Sequence, residues 1–277
     1  MIRACVIGWP IEHSRSPLIH TYWLRHYGID GSYEKVAVRP EDLDEFLGSL
    51  RARGLAGGNV TLPHKEAALR AAFYADDAAK AIGAANTLWL DADGRLCAGN
   101  SDAFGFMTNL NAEAPGWTRG GRPVAVLGGG GAARAVLYAL LEEGVSEIRL
   151  ANRTRGRAER LAQDFGARVD VVDWELRHAA LAGCGLLVNA TSLGMAGKEP
   201  LDLDLAELPV EAIVADIVYT PLETRLLAAA RARGSQAVDG LGMLLHQAVP
   251  GFQRWFGVRP AVTPELRAEL IASLQAP

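Results

Sequence analysis

The sequence predicts an α/β protein of two domains, each built on a parallel sheet with helices on both faces. Three observations carry this. Short apolar runs alternate with amphipathic stretches along most of the 277 residues, the pattern left by strands joined through crossover helices. Near the middle, "VAVLGGGGAARAVLYALLEEG" (124–144) couples a buried-strand run to a glycine turn and a helix. Just before it, the Pro- and Gly-rich stretch "AEAPGWTRGG" (112–121) reads as a connection into a second sheet.

In chain order, short apolar runs predict strands at 2–8, 32–38, 56–61, 86–90, 123–128, 147–151, 168–172, 185–189, 212–217 and 235–238. Amphipathic stretches predict helices at 16–28, 40–53, 64–72, 131–144, 155–166, 174–182, 221–233 and 240–256. A further helix is expected after Asp102. The last forty residues read as helical, and their return to the first domain would make that domain discontinuous. The expected division is therefore 1–105 completed by 239–277, with 106–238 as the second domain.

Composition excludes several classes. A hydrophobic fraction of 49% against 22% charged residues is that of a globular chain able to bury a core without staples. A net charge of -4 argues against nucleic acid or an acidic membrane surface as a partner. Cys5, Cys97 and Cys184 are far apart, with no C-x-x-C pair, so neither a disulfide framework nor a zinc site is expected. This suits a reducing cytoplasm. The six histidines show no H-x-H or H-E-x-x-H spacing, and no metal is expected. The chain opens on "ACVIGWP" without a signal-peptide layout, and no apolar run nears the roughly 18 residues of a spanning helix.

The glycine turn carries the clearest local chemistry. Gly128, Gly130 and Ala133 fit G-x-G-x-x-A between a strand and a helix. The first glycine permits the tight turn, the second lets backbone approach a pyrophosphate, and the small third residue allows close helix–sheet packing. The helix N-terminus then faces the anion with free N–H groups. Where the next strand ends, an NAD site usually carries a carboxylate for the ribose 2′-hydroxyl. Here Asn152 is followed by Arg153, Thr154, Arg155 and Arg157. Guanidinium groups grip a 2′-phosphate, and arginines at a helix start oppose the macrodipole. NADP is the expected cofactor, on a Rossmann-like parallel sheet.

"NVTLPHK" (59–65) sets Lys65 two residues beyond a proline that stops a strand. A lysine there is either solvated or a proton-transfer group held at the rim of a sheet. Ser14 and Ser16 precede Pro17, a common first helical residue, so Ser16 reads as a helix N-cap or as part of a carboxylate contact. Asn86 opens a strand in "GAANT", and Asp102 in "GNSDAFGF" reads equally as an N-cap. Cys5 and Cys184 sit in apolar contexts, and Trp23, Trp174 and Trp255 on helix-like faces; all five read as core.

Taken in order, "HSRSP", "NVTLPHK", "GAANT", "NSDAFG", "GGGGAARA", "NRT", "NATSLGM", "DIVYTPLET" and "DGLGMLLHQ" resemble the shikimate dehydrogenases, from residue 8 to about 247. Three positions depart from that family's usual pattern: Ala103 follows Asp102 where Gly is usual, Gly129 replaces a common Ala, and His64 replaces an aromatic or apolar residue. The resemblance implies reversible reduction of 3-dehydroshikimate to shikimate with NADPH. It implies Lys65 and Asp102 as the catalytic pair. Ser14, Ser16 and Tyr219 would contact the substrate carboxylate. Thr61, Asn86 and Gln247 would contact its hydroxyls, with Asn59 in support. Gly128, Gly129, Gly130, Gly131 and Ala132 would form the pyrophosphate loop, and Asn152, Arg153, Thr154 and Arg157 the 2′-phosphate clamp. Thr191, Met195, Ile217, Gly240 and Met243 would lie toward the nicotinamide end. Small-molecule substrates, a monomer or homodimer, and a cytoplasmic setting without nucleic acid or membrane partners complete the expectation. An enzyme that also oxidises quinate and a non-catalytic NADP-binding regulator are the alternatives.

Overall fold

The structure is a computed structural model describing residues 1–118 and 120–275. Residue 119, in the expected connection 112–121, and residues 276–277 of the expected returning segment lie outside the described residues. Two compact units form: Met1–Ser101 with Gln247–Pro277, and Asp102–His246.

The first unit holds β1 (Ile2–Gly8), β2 (Gly31–Ala37), β3 (Leu55–Val60), β4 (Tyr74–Ala75), β5 (Thr87–Leu90) and β6 (Leu96–Gly99). Their order across the sheet is β2-β1-β3-β5-β6-β4. This sheet is mixed, which corrects the expectation of two parallel sheets: β5 runs antiparallel to both β3 and β6. The cause is the tight turn "DADGR" between β5 and β6. Asp91 Oδ1 accepts from the N–H groups of Asp93 and Arg95 at 3.0 and 2.9 Å, an Asx-type turn that reverses the chain without a crossover.

Antiparallel β5 has a functional consequence. Its first residues lie at the same sheet edge as the last residues of β1, β3 and β6, because Asn59 pairs with Thr87, Thr87 with Gly99, and Ile7 with Val60. Around this sheet lie α1 (Ser16–His26), α2 (Leu43–Gly48), α3 (Lys65–Ala71) and α4 (Asp77–Ile82). Ile7, Leu43, Phe46, Leu47, Leu55, Val60 and Leu88 fill the core on one side.

In the second unit α5 (Asp102–Glu113) leads into β7 (Val124–Leu127), α6 (Gly131–Glu142), β8 (Ile148–Ala151), α7 (Arg155–Phe165), β9 (Val169–Val172), β10 (Leu186–Asn189), β11 (Ile213–Asp216), α8 (Arg225–Ala232) and β12 (Ala237–Val238). All six strands are parallel in the order β12-β11-β10-β7-β8-β9. The order reverses between β7 and β10, and in open parallel sheets ligands bind beyond the carboxyl ends of the strands at such a switch point. The central strands β7, β10 and β11 are fully buried, and apolar up to Asn189 and Asp216, which end the latter two, as sheets covered on both faces require.

α9 (Leu241–Phe256) runs from the second unit into the first, and α10 (Pro264–Gln275) follows. The expected edges at 105/106 and 238/239 differ from the observed 101/102 and 246/247. The first falls inside α5, all of which groups with the second unit. The predicted helix at 174–182 is two 3₁₀ turns, Trp174–Leu176 and Ala179–Leu181. Its amide hydrogen bonds close on i−3 carbonyls, and the Trp174 carbonyl is also taken by the Arg177 guanidinium at 2.7 Å.

Candidate active site

Lys65 is the first residue of α3 and is half-buried. Three contacts fix its backbone. The Thr61 N–H still donates to the Ile7 carbonyl at 2.9 Å, one residue past the end of β3. The Thr61 carbonyl accepts from the His64 N–H at 3.0 Å, closing a turn over the cis Leu62–Pro63 peptide. The Lys65 carbonyl accepts from Ala85 N–H at 2.9 Å. A cation in the first turn of a helix opposes the macrodipole, so helix stability alone does not explain this lysine.

Beside it the sheet edge is polar and ordered. Tyr33 Oη donates to Asn59 Oδ1 at 2.6 Å, and Asn59 Nδ2 donates to the Asn86 carbonyl at 3.1 Å. Burial holds the Tyr33 phenol well above its usual pKa, so it remains a donor. Asn86 Oδ1 accepts from Ser101 N–H at 2.9 Å and Thr87 Oγ1 at 2.9 Å, while its Nδ2 donates to Gln247 Oε1 at 3.4 Å. Ser14 Oγ accepts from the Ser16 N–H at 3.4 Å. Ser16 is itself the first residue of α1, with Arg15 in the cap position. The N-cap reading of Ser16 is therefore corrected: the hydroxyl lies inside the first turn, buried. Asp102 is likewise the first residue of α5 rather than its cap, a position where the dipole favours a carboxylate. It belongs to the second unit, as does half-buried Tyr219.

In the second unit the glycine turn sits at the switch point. Gly128 has φ +129°, and a Cβ there would stand 2.7 Å from the Ala190 carbonyl oxygen at the end of β10. No other residue type fits this crossing of two loops. Gly130 and Gly131 are exposed, and an added Cβ meets no described atom within 4 Å, so the N-terminus of α6 is open to a ligand. Ala132 follows in that first turn, and Ala133 packs the helix on the sheet. Gly129 lies against Asn152, whose Nδ2 donates to the Thr154 carbonyl at 2.9 Å. Arg153, Thr154 and Arg157 are exposed around it. Arg153 lies 3.8 Å from Glu199, and Arg155 is held by Asp173 and Glu159. These features fit a phosphorylated dinucleotide: an open helix N-terminus for the pyrophosphate, and cations with no carboxylate at position 152.

The loops after β10 and β11 carry the remaining positions. Thr191 Oγ1 donates to Asn189 Oδ1 at 2.7 Å, and half-exposed Met195 lies on the same loop. Ile217 N–H donates to the Asn189 carbonyl at 3.1 Å, Gly240 packs on the Ile217 backbone, and Met243 is half-buried in the first turn of α9. Sequence reasoning missed Asn189 and Asp216, which are 0% and 2% exposed and organise these loops. Their signal was there: a carboxylate ending the apolar run "AIVAD" needs buried partners.

The family model for the shikimate dehydrogenase substrate-binding domain matches residues 6–88. That for shikimate / quinate 5-dehydrogenase matches 117–196, and that for the shikimate 5′-dehydrogenase C-terminal domain matches 240–264. The shikimate dehydrogenase (NADP(+)) of Rhodopseudomonas palustris (strain HaA2) is 59% identical over 273 residues, covering 99% of this chain and 96% of that one. The chain belongs to the shikimate dehydrogenase family. Among solved members of this family, the shikimate 5-dehydrogenase of Thermus thermophilus in complex with NADP(H) and shikimate has a TM-score of 0.87 at 38% identity, covering 99% of this chain and all 100% of that one. The quinate dehydrogenase of Corynebacterium glutamicum in complex with NAD has a TM-score of 0.91 at 31% identity, covering 98% and 99%. In this shikimate dehydrogenase family chain, no group of three His, Cys, Asp or Glu placed to hold a metal occurs among the described residues. Nor is any described helix long and apolar enough to cross a membrane.

Proposed function

We propose that this chain reversibly reduces 3-dehydroshikimate to shikimate with NADPH, in the route to aromatic amino acids. The observation that carries the reading is Lys65, fixed at a sheet edge lined by Thr61, Asn59 and Asn86, in a family whose relatives include shikimate dehydrogenases. The cofactor supplies the hydride. The chain's residues bind, orient and move the proton. Lys65 as an ammonium donates to the ketone oxygen as negative charge develops there, and takes the proton back in the oxidative direction. Alcohol oxidation releases a proton overall, so its equilibrium shifts toward the ketone as pH rises. Asp102 shares that proton traffic as the second catalytic group.

Ser14, Ser16 and Tyr219 take the substrate carboxylate. Thr61, Asn86 and Gln247 take the ring hydroxyls, with Asn59 holding Asn86 from behind. Gly128, Gly129, Gly130, Gly131 and Ala132 hold the pyrophosphate. Asn152, Arg153, Thr154 and Arg157 hold the 2′-phosphate. Thr191, Met195, Ile217, Gly240 and Met243 serve the nicotinamide end. The chain works as a monomer or homodimer in the cytoplasm, without nucleic acid or membrane partners.

A second reading is supported by the likeness to a quinate dehydrogenase. The arginines after β8 weigh against NAD as the partner of such an activity. The test is NADPH formation from shikimate by wild type and Lys65→Ala, with quinate plus NAD as control. Turnover of shikimate by wild type, and loss of kcat with little change in KM in the variant, supports the reading. Binding of NADP without turnover of either acid makes the chain a regulator.

A further inference from the structure

We infer that Asp216 is a positioning residue that braces the two loops serving the nicotinamide end of the cofactor. The inference rests on the functional reading above for the roles of Thr191, Met195 and Ile217. Its own evidence is a closed set of buried hydrogen bonds at the carboxyl ends of β10 and β11. Asp216 Oδ1 accepts from Asn189 Nδ2 at 2.9 Å and from the Val218 N–H at 3.0 Å. Its Oδ2 accepts from Thr224 Oγ1 at 2.7 Å. Thr224 in turn caps α8, accepting from Leu227 N–H at 3.3 Å.

The same network reaches the other loop. Asn189 Oδ1 accepts from Thr191 N–H at 3.1 Å and Thr191 Oγ1 at 2.7 Å, and its Nδ2 also donates to the Leu193 carbonyl at 3.2 Å. Thr191 Oγ1 then accepts from the Leu193 N–H at 3.0 Å. Ala196 N–H, farther along this loop, donates to the Thr220 carbonyl at 2.8 Å. A carboxylate is suited to the centre because it accepts on both oxygens. Every partner it meets is a donor: an amide, a backbone N–H and a hydroxyl. Burial raises the Asp216 pKa, and the three donors oppose that rise, Thr224 most.

An amide at 216 keeps one acceptor oxygen but turns an N–H₂ toward Thr224, whose hydroxyl proton loses its acceptor. The loops then lose their common anchor, while the glycine turn and the arginines after β8 keep their own contacts. The test compares wild type, Asp216→Asn and Thr224→Val for turnover with shikimate, for NADPH affinity, and for affinity of 2′,5′-ADP, which reports the adenosine end alone.

The expected result is a kcat lowered by about tenfold to a hundredfold, the scale of sub-ångström misplacement of reactants. NADPH affinity falls severalfold in both variants, 2′,5′-ADP affinity stays at the wild-type level, and Thr224→Ser recovers what Thr224→Val loses. Equal losses of NADPH and 2′,5′-ADP affinity mean general damage to the unit and overturn the inference, as do wild-type values throughout. If wild type binds NADPH but leaves shikimate unchanged, the proposed reaction fails. The comparison of NADPH with 2′,5′-ADP then still decides whether Asp216 braces these loops.

Discussion

His64 and Val38 share a buried hydrogen bond: the imidazole Nε2–H donates to the Val38 carbonyl at 2.7 Å, with the ring 2% exposed. The carbonyl fixes Nε2 as the protonated nitrogen. The bond ties the residue before Lys65 to the segment after β2, which gives the unusual histidine of this chain a structural reason. His64→Ala leaves a buried carbonyl without its donor and opens a cavity, so stability should fall by about 2–4 kcal/mol. Urea unfolding measures this. His64→Phe restores volume but not the donor, and should lose about 1–3 kcal/mol. A variant as stable as wild type would remove the bond from the account of how Lys65 is held.

The arginines after β8 divide into two kinds. Arg155 is taken up by Asp173 and Glu159, which also raise its pKa, whereas among the described residues Arg153 has a single long contact, to Glu199 at 3.8 Å. Arg153→Ala should therefore raise the KM for NADP by about tenfold to a hundredfold, as loss of a charged hydrogen bond worth about 1.5–3 kcal/mol requires. NAD, lacking the 2′-phosphate, should be used no worse than by wild type. Arg155→Ala should leave the NADP preference intact. Steady-state kinetics with both cofactors separate the three cases, and a large effect at Arg155 would reassign the clamp.

Much of this is legible in the sequence. The strand at 124–127, the glycine turn and the basic stretch 153–157 are local in sequence, so periodicity and turn chemistry reveal them. The hairpin β5–β6 was missed because Leu96–Gly99 is four residues long and carries little pattern. Its real signal is the turn "DADG", which fixes an antiparallel pair and so brings Asn86 to the edge where β3 ends. The 174–182 stretch has an amphipathic pattern, but Arg177 takes up a carbonyl a longer helix would need. Asp216 and Asn189 are 27 residues apart and meet only through parallel pairing of β10 with β11, where Asn189 stands opposite Asp216. No local window contains such a relation.

Gly240 offers a sharper test of the loop after β11. A Cβ on this residue would collide with the carbonyl group of Ile217, which is backbone and has nowhere to rotate. Gly240→Ala should cost about 1–3 kcal/mol of stability, as overpacking does, and should weaken NADPH binding by shifting Ile217. Urea unfolding and a fluorescence titration with NADPH measure the two effects. Unchanged values for both would mean the α9 start and the Ile217 loop separate freely.

His20 gives a pH dependence with a definite sign. Its ring is 0% exposed, stacks on Tyr33 at 3.9 Å, and packs near Trp23, Phe252 and Trp255. Neither ring nitrogen has a hydrogen-bond partner among the described residues. Burial lowers its pKa from 6.5 to about 3 against the opposing effect of nearby Asn59, so the native ring is neutral at neutral pH. The unfolded chain binds a proton here that the folded chain refuses. Stability from this site is therefore complete above the unfolded value of 6.5 and is lost as pH falls toward about 3. The slope should approach about 1.4 kcal/mol per pH unit within that window. His20→Leu, close in volume and unable to titrate, should remove this component. Urea unfolding between about pH 4 and pH 7 should give a shallower fall in stability for the variant than for wild type, over the window the linkage defines. Parallel curves would show that the acid sensitivity of the first unit arises at other groups.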